Sequence, residues 1–197
     1  MRLNRSLMSP RPSPKIETPF AGGVSNKNTA MRISGPIQLL HDQLQDLFAM
    51  EIQLAASLPF LAEGAAHNGL QEQLGKQSQR GYRRKAQLLD IFRRLNFELG
   101  TDKCQAVEGI INGGDAHLAT VQDPATRDLM LIAHSLRISL YVIAAYGVTA
   151  RLASALAFPV EANLLSSLTF EEEDAVQRLK HLEPSLFEIA YRRDKVT

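Results

Sequence analysis

Two glutamates interrupt helical stripes that are otherwise apolar. Steps of three and four residues from Ile37 meet only apolar side chains apart from Glu51, and the same steps from Leu165 pass through Glu172. A carboxylate on a buried helix face must be protonated, paired or bound to a cation, because an isolated buried charge is very costly. In the core of a helical bundle, carboxylates bind iron or manganese through hard oxygen ligands. Glu51 and Glu172 are therefore the candidate metal ligands of this chain.

The two remaining helical stripes also break near their middles. Gln77 and Arg84 interrupt the stripe of the second helix, and Ser139 interrupts that of the third. Gly81 lies between Gln77 and Arg84, at the centre of the second interruption. Counted from the helix starts, Glu51 and Ser139 lie 15 residues in, and Gly81 and Glu172 lie about 12 in. These depths agree to within about one turn, so the interruptions can share one polar core layer. We predict that an arginine from the run 80–84, with Arg84 on the inward stripe, pairs with the two glutamates, and that Tyr82 or Ser139 donates hydrogen bonds to them.

The two acids differ in how strongly the sequence indicates burial. The flanks of Glu51 offer almost no polar face, which favours a buried position. Glu172 lies in the acidic run 171–174, and most charge runs are solvated. For Glu172 a solvent-facing position therefore stays open as an alternative.

Helix start and stop signals, chiefly proline and glycine, divide the region after residue 33 into four predicted helices. We place them at about 36–67, 70–100, 124–158 and from 159 onward, with Pro184 as a candidate kink. The joins are about two residues, then residues 101–123, then about two again. Short loops force antiparallel neighbours, whereas the long linker can run the length of a bundle. The prediction is an all-α, ferritin-like antiparallel four-helix bundle over 34–197, with a long crossover that contains a short helix at 106–111 ended by residues 112–114.

Composition and charge bound the function. The chain has 197 residues, 45% of them apolar, no Trp and one Cys, which indicates one globular domain without a disulfide framework or a zinc site built on cysteine pairs. We find no apolar run of the roughly 18 residues that cross a bilayer, so we expect a cytoplasmic protein without membrane contact. The five histidines have no metal-ligand spacing and are expected at the surface or as hydrogen-bonded core residues.

Residues 1–33 form a basic, proline-containing extension that we expect to be disordered. They hold six of the 22 basic residues and one of the 21 acidic ones, together with four prolines. An idle tail, a start of translation at Met31 and an arm that binds phosphates are the alternatives. The basic run 76–85 raises the same question, but it is short and poor in aromatic residues, so we do not expect nucleic-acid binding.

Four segments of the chain carry a family resemblance: residues 103–111 (KCQAVEGII), 127–132 (RDLMLI), 143–147 (IAAYG) and 58–63 (LPFLAE). They resemble the bacterial YciE/YciF family of stress-associated, ferritin-like proteins. The resemblance covers about 37–190 and implies a ferritin-like fold, a homodimer and a metal carboxylate at Glu51. The protein partner, if there is one, is not indicated.

The chain departs from this family where metal chemistry needs ligands. The family carries His followed by Glu residues where this chain has residues 77–82 (QSQRGY), and Glu-His-x-Glu where it has residues 139–142 (SLYV). Only Glu51 and the acidic run around Glu172 stay in place as a remnant site. We therefore expect no cofactor, or at most iron or manganese at a partial site, in a non-catalytic structural or stress-response interaction protein. The alternative is a metal-binding oxidase or ferroxidase of the di-iron class.

Overall fold

A computed structural model describes residues 33–194, with side chains up to residue 192. In this range the regular secondary structure is entirely helical. The helices are α1 (Pro36–Glu63), α2 (Asn68–Leu95), α3 (Gln105–Leu118), α4 (Pro124–Ala155) and α5 (Pro159–Asp194). The basic extension predicted at 1–33 lies outside the described residues except for Ile33.

Four long helices form the bundle, and α3 lies within the crossover. α1 packs along α2, and α4 packs along α5. Residues 64–67 join the first pair and residues 156–158 join the second, so each pair is antiparallel. The all-α class, the antiparallel four-helix bundle and the long crossover with its short helix are thereby confirmed.

The helix starts follow the signals in the sequence, with one correction. Asp123 caps α4 by accepting a hydrogen bond from the backbone N–H of Thr126 at 2.7 Å, and Pro124 occupies the first turn. The first two helices were expected at about 36–67 and 70–100, but α1 ends at Glu63 and α2 begins at Asn68. The cause is a contact with another helix. Asp128 of α4 accepts hydrogen bonds from the backbone N–H groups of Ala66 and His67 at 2.8 and 2.9 Å, and these bonds hold residues 64–67 as the turn between the two helices.

The crossover helix is longer than expected. It was predicted to end before the segment 112–114, yet α3 continues through Gly113 and Gly114 to Leu118. Gly114 is buried against the ring of His134, where a Cβ would come within 1.9 Å of the ring carbon Cε1. Close packing on α4 thus favours a glycine inside the helix and outweighs its poor helix propensity.

α4 corrects the expectation about apolar segments. By length and composition it is the one helix of residues 33–194 that could cross a bilayer. Its inward face carries buried polar side chains, among them Asp128, Ser139 and Thr149, and it packs along α5. A core helix of a bundle meets the same criteria, so this feature is weak support for a membrane span.

Candidate functional site

A layer of buried polar and charged side chains crosses the middle of the bundle, and each of its members is at most 9% exposed. All four long helices contribute to it. Its members are Glu51 from α1, Gln77, Arg80 and Arg84 from α2, Ser139 and Tyr146 from α4, and Glu172 from α5. We call this set the core cluster.

Glu172 is the fully buried anion of the core cluster. Arg84 Nη2 donates to Glu172 Oε2 at 2.5 Å, and Ser139 Oγ donates to Glu172 Oε1 at 2.5 Å. Arg80 adds an ion pair, with its Nε 3.5 Å from Oε2. Burial by itself would raise the pKa of Glu172, but the two guanidinium groups and the Ser139 hydrogen bond outweigh burial and lower it. Glu172 is therefore an ionised carboxylate at neutral pH.

Glu51 has a weaker set of partners. Tyr146 donates its hydroxyl to Glu51 Oε1 at 2.9 Å, and Arg84 Nη1 lies 3.7 Å from the same oxygen. Burial raises the pKa of Glu51 to about 7, because Arg84 and Tyr146 offset the desolvation only in part and Glu172 adds repulsion. The core cluster thus contains one carboxylate that stays ionised and one that titrates close to neutrality.

Arg84 lies between the two carboxylates. One of its terminal nitrogens bonds Glu172 and the other faces Glu51, while its guanidinium carbon lies 5.7 Å from the centre of the Tyr146 ring. Burial works against its charge, but the two glutamates outweigh burial and raise its pKa. A permanent cation therefore occupies the centre of the polar layer.

Gln77 is the last member of the core cluster, and the hydrogen bonds it makes still leave some buried polar atoms of the cluster without partners. Its Nε2 donates to Ser139 Oγ at 2.9 Å and approaches Glu172 Oε1 at 3.4 Å. Within residues 33–194, three buried atoms of the core cluster have no hydrogen-bond partner: Gln77 Oε1, Arg80 Nε and Arg84 Nε. The ion pair of Arg80 is therefore close in distance but poorly directed.

The core cluster does not fit a di-metal centre. Such a centre needs about four carboxylates and two histidines, commonly from facing helices. Among the described residues, no group of three or more His, Cys, Asp or Glu side chains is placed to hold a metal ion. Here two carboxylates meet, and the Arg84 guanidinium stands within 3.7 Å of both. A metal ion between them would have to displace a cation that is already hydrogen-bonded.

The structure brings together five of the six residues selected from the sequence, and Tyr82 is the exception. Tyr82 is 55% exposed, so its assignment to the polar core layer is wrong. On α2 it is one residue past Gly81, and one helical step of about 100° turns it away from the inward stripe. The solvent-facing alternative for Glu172 is also wrong, since its side chain has no exposed surface.

Sequence reasoning missed two partners and misjudged one histidine. Tyr146 was not selected from the sequence, although its hydroxyl donates a hydrogen bond to Glu51. Arg80 was a member of the selected run without an inward position of its own. His134 was expected to be exposed or hydrogen-bonded, but it is 1% exposed and neither ring nitrogen has a partner among the described residues.

The fold and the core cluster define a helical-bundle protein whose core holds two arginines and two glutamates in one layer. The chain belongs to the family described as "Domain of unknown function (DUF892)", whose profile matches residues 36–191. It is 29% identical over 133 residues to Protein YciF of Escherichia coli strain K12, which covers 67% of this chain and 80% of that protein.

Two solved structures share the fold. The E. coli stress protein YciF has a TM-score of 0.76 at 24% identity, covering 79% of this chain and 99% of that chain. YcfI from Rhodopseudomonas palustris, for which a structural role has been proposed, has a TM-score of 0.74 at 24% identity, covering 77% and 96%. At these identities the structural likeness supports the bundle fold, and the family membership rests on the profile match.

Proposed function

We propose that this chain is a non-catalytic structural or stress-response interaction protein in which an arginine–glutamate cluster replaces a di-metal centre. The observation that carries the proposal is the position of Arg84, whose two terminal nitrogens face Glu172 and Glu51 at 2.5 and 3.7 Å. A stress role is named for YciF and a structural role is proposed for YcfI, and both bundles resemble this one.

The cation at its centre supports a structural rather than a catalytic role for the core cluster. Arg84 bonds Glu172 and faces Glu51, so it occupies the position between the two carboxylates that a catalytic metal ion would need. Fully desolvated charge pairs of this kind contribute little net stability against an apolar core, but losing one partner is strongly destabilising. We propose that this dependence on complete pairing makes the core cluster select the faces with which the four helices meet.

The surface charges support the expectation that nucleic acid is not a partner. Of the basic run 76–85, Arg80 and Arg84 are buried near Glu172, and Lys76 and Arg83 form ion pairs with acids on the same or a neighbouring helix. Few of these charges are left for phosphate groups. We further propose a cytoplasmic homodimer, without membrane contact and without a resident cofactor.

The experiment is a metal analysis of protein expressed with added iron or manganese. Elemental analysis should find less than about one tenth of a metal ion per chain, because Arg84 holds the cation position that carboxylates offer to hard metals. One or more ions per chain, lost in Glu51→Gln and Glu172→Gln, would overturn the proposal and favour the oxidase or ferroxidase alternative. Glu171→Gln is the matched control, since Glu171 neighbours Glu172 but pairs with Arg83 at the surface.

A further inference from the structure

His134 is a buried histidine without a hydrogen-bond partner, and it lies where the crossover helix meets the bundle. Its side chain is 1% exposed, and neither ring nitrogen is bonded within residues 33–194. Gly114 of α3 packs directly on the ring, so closely that a Cβ would lie 1.9 Å from Cε1 and 2.1 Å from Nδ1. This imidazole is thus part of the contact between α3 and α4.

The docked position suits the neutral ring only. A neutral imidazole buries one unpaired N–H donor and no charge, whereas a protonated imidazole would bury two unpaired donors and a positive charge. The charged and titratable groups that act on the ring are Asp115 and His117 of α3 and Arg137 of its own helix. Burial outweighs the favourable charge of Asp115 and lowers the pKa of His134. Protonation therefore opposes the packing of α3.

α3 is held by few contacts. Val107, Gly114 and Leu118 are its buried residues, and it packs on α4 and, less extensively, on α1. The four long helices each bury more apolar side chains, mostly against a long partner. Segments with few buried contacts open locally at a lower free energy than the whole domain unfolds. α3 can therefore separate from the bundle without unfolding it.

We propose that α3 is an acid-released cover: protonation of His134 favours a state in which α3 leaves the face of α4 while the four-helix bundle stays folded. The inference goes beyond the proposed function, because it uses no member of the core cluster. The open state binds the proton more tightly than the docked state. The opening equilibrium should therefore rise by up to about tenfold per pH unit below the ordinary histidine value of roughly 6.5.

Cys104 supplies a built-in probe of this opening. It is the one cysteine of the chain, 1% exposed, and it caps α3, with its Sγ accepting from the backbone N–H of Val107 at 3.5 Å. Labelling with dithiodipyridine at pH 7 and pH 5, normalised to the urea-unfolded chain at each pH, measures its protection. We expect protection to fall at least about fivefold at pH 5. In parallel, amide protection factors, each normalised to the intrinsic exchange rate at its own pH, should fall from pH 7 to pH 5 over 105–118 and stay unchanged over 68–95.

Two variants separate this device from a general acid effect. His134→Leu should abolish the pH dependence of Cys104 labelling, because the titrating group is gone. Gly114→Ala should increase labelling already at pH 7, since its Cβ clashes with the ring. Gly113→Ala, with no atom within 4 Å of its added Cβ, is the matched control. It adds the same helix propensity without the clash, so it should label no faster than the unmodified protein.

Three results would overturn the proposal. In the first, His134→Leu keeps the full pH dependence of labelling. In the second, helix α2 exchanges together with α3 at pH 5, which means that the whole bundle opens. In the third, Gly114→Ala labels like Gly113→Ala. If His134→Leu does not fold, the glycine pair and the exchange pattern of the unmodified chain decide the question.

Discussion

Replacing Glu51 by glutamine should remove a pH dependence of stability that this one carboxyl imposes on the bundle. The pKa of Glu51 is raised from 4.5 to about 7 by burial. Glutamine has nearly the same shape and keeps an oxygen that can accept the Tyr146 hydroxyl, now 2.9 Å from Glu51 Oε1. It cannot titrate, so the substitution isolates the proton equilibrium.

The size and sign of the effect follow from the two pKa values. The folded protein holds the Glu51 proton more tightly than the unfolded chain does, so this contribution is fully present below pH 4.5 and is lost as pH rises through about 7. At 1.36 kcal/mol per pKa unit, the free energy of unfolding should fall by about 3 kcal/mol over this window.

The assay is urea unfolding between pH 4.5 and 8 for the unmodified chain and for Glu51→Gln. The difference between the two curves cancels histidines and other groups that titrate in both proteins. Relative to Glu51→Gln, the unmodified chain should lose about 3 kcal/mol of stability across the window. Glu63→Gln, at an exposed glutamate on the same helix, should follow the unmodified chain. A difference curve that is flat with pH would refute the account of Glu51.

Three further substitutions test neighbouring contacts by urea unfolding. Arg84→Met should cost about 3 to 5 kcal/mol, because it removes the hydrogen-bonded cation of buried Glu172 and leaves the poorly directed Arg80 pair and the Ser139 hydroxyl as its main partners, and adding Glu172→Leu should recover much of that loss; equal and additive losses would contradict pairing. Tyr146→Phe should move the Glu51 transition to higher pH, since the hydroxyl hydrogen bond favours the ionised carboxylate; an unmoved transition would contradict this. Asp128→Ala should cost about 1 to 3 kcal/mol, because two backbone N–H groups lose their acceptor; a change within error would mean that they find other partners.

The helices and the buried acid of α1 could be predicted because their signals are local. Periodicity of three and four residues places Glu51 on the inward face whatever the neighbouring helix contributes. Proline in the first turn likewise marks the start of α4 and α5. The end of α1 could not be predicted in this way, since Asp128, more than 60 residues away, holds the turn that follows it.

The partners inside the core cluster depend on tertiary packing and were only partly predictable. Arg84 and Tyr82 lie two residues apart, yet Arg84 is buried and Tyr82 is exposed. The helical stripe of inward positions includes Arg84 and excludes Tyr82, so a strict use of that pattern would have left Tyr82 out of the predicted core layer. Tyr146 was already on an inward stripe, but the direction of its hydroxyl depends on how α4 sits against α1. The packing of Gly114 on His134 left no local signal at all.

The central claim is that an arginine, and not a metal ion, lies between the two buried glutamates. The most direct measurement is anomalous X-ray diffraction at the iron and manganese edges, from crystals grown with each metal. The account predicts no anomalous peak between Glu51 and Glu172, with the guanidinium of Arg84 bonded to Glu172. An anomalous peak bridging the two carboxylates, with Arg84 turned away, would contradict it.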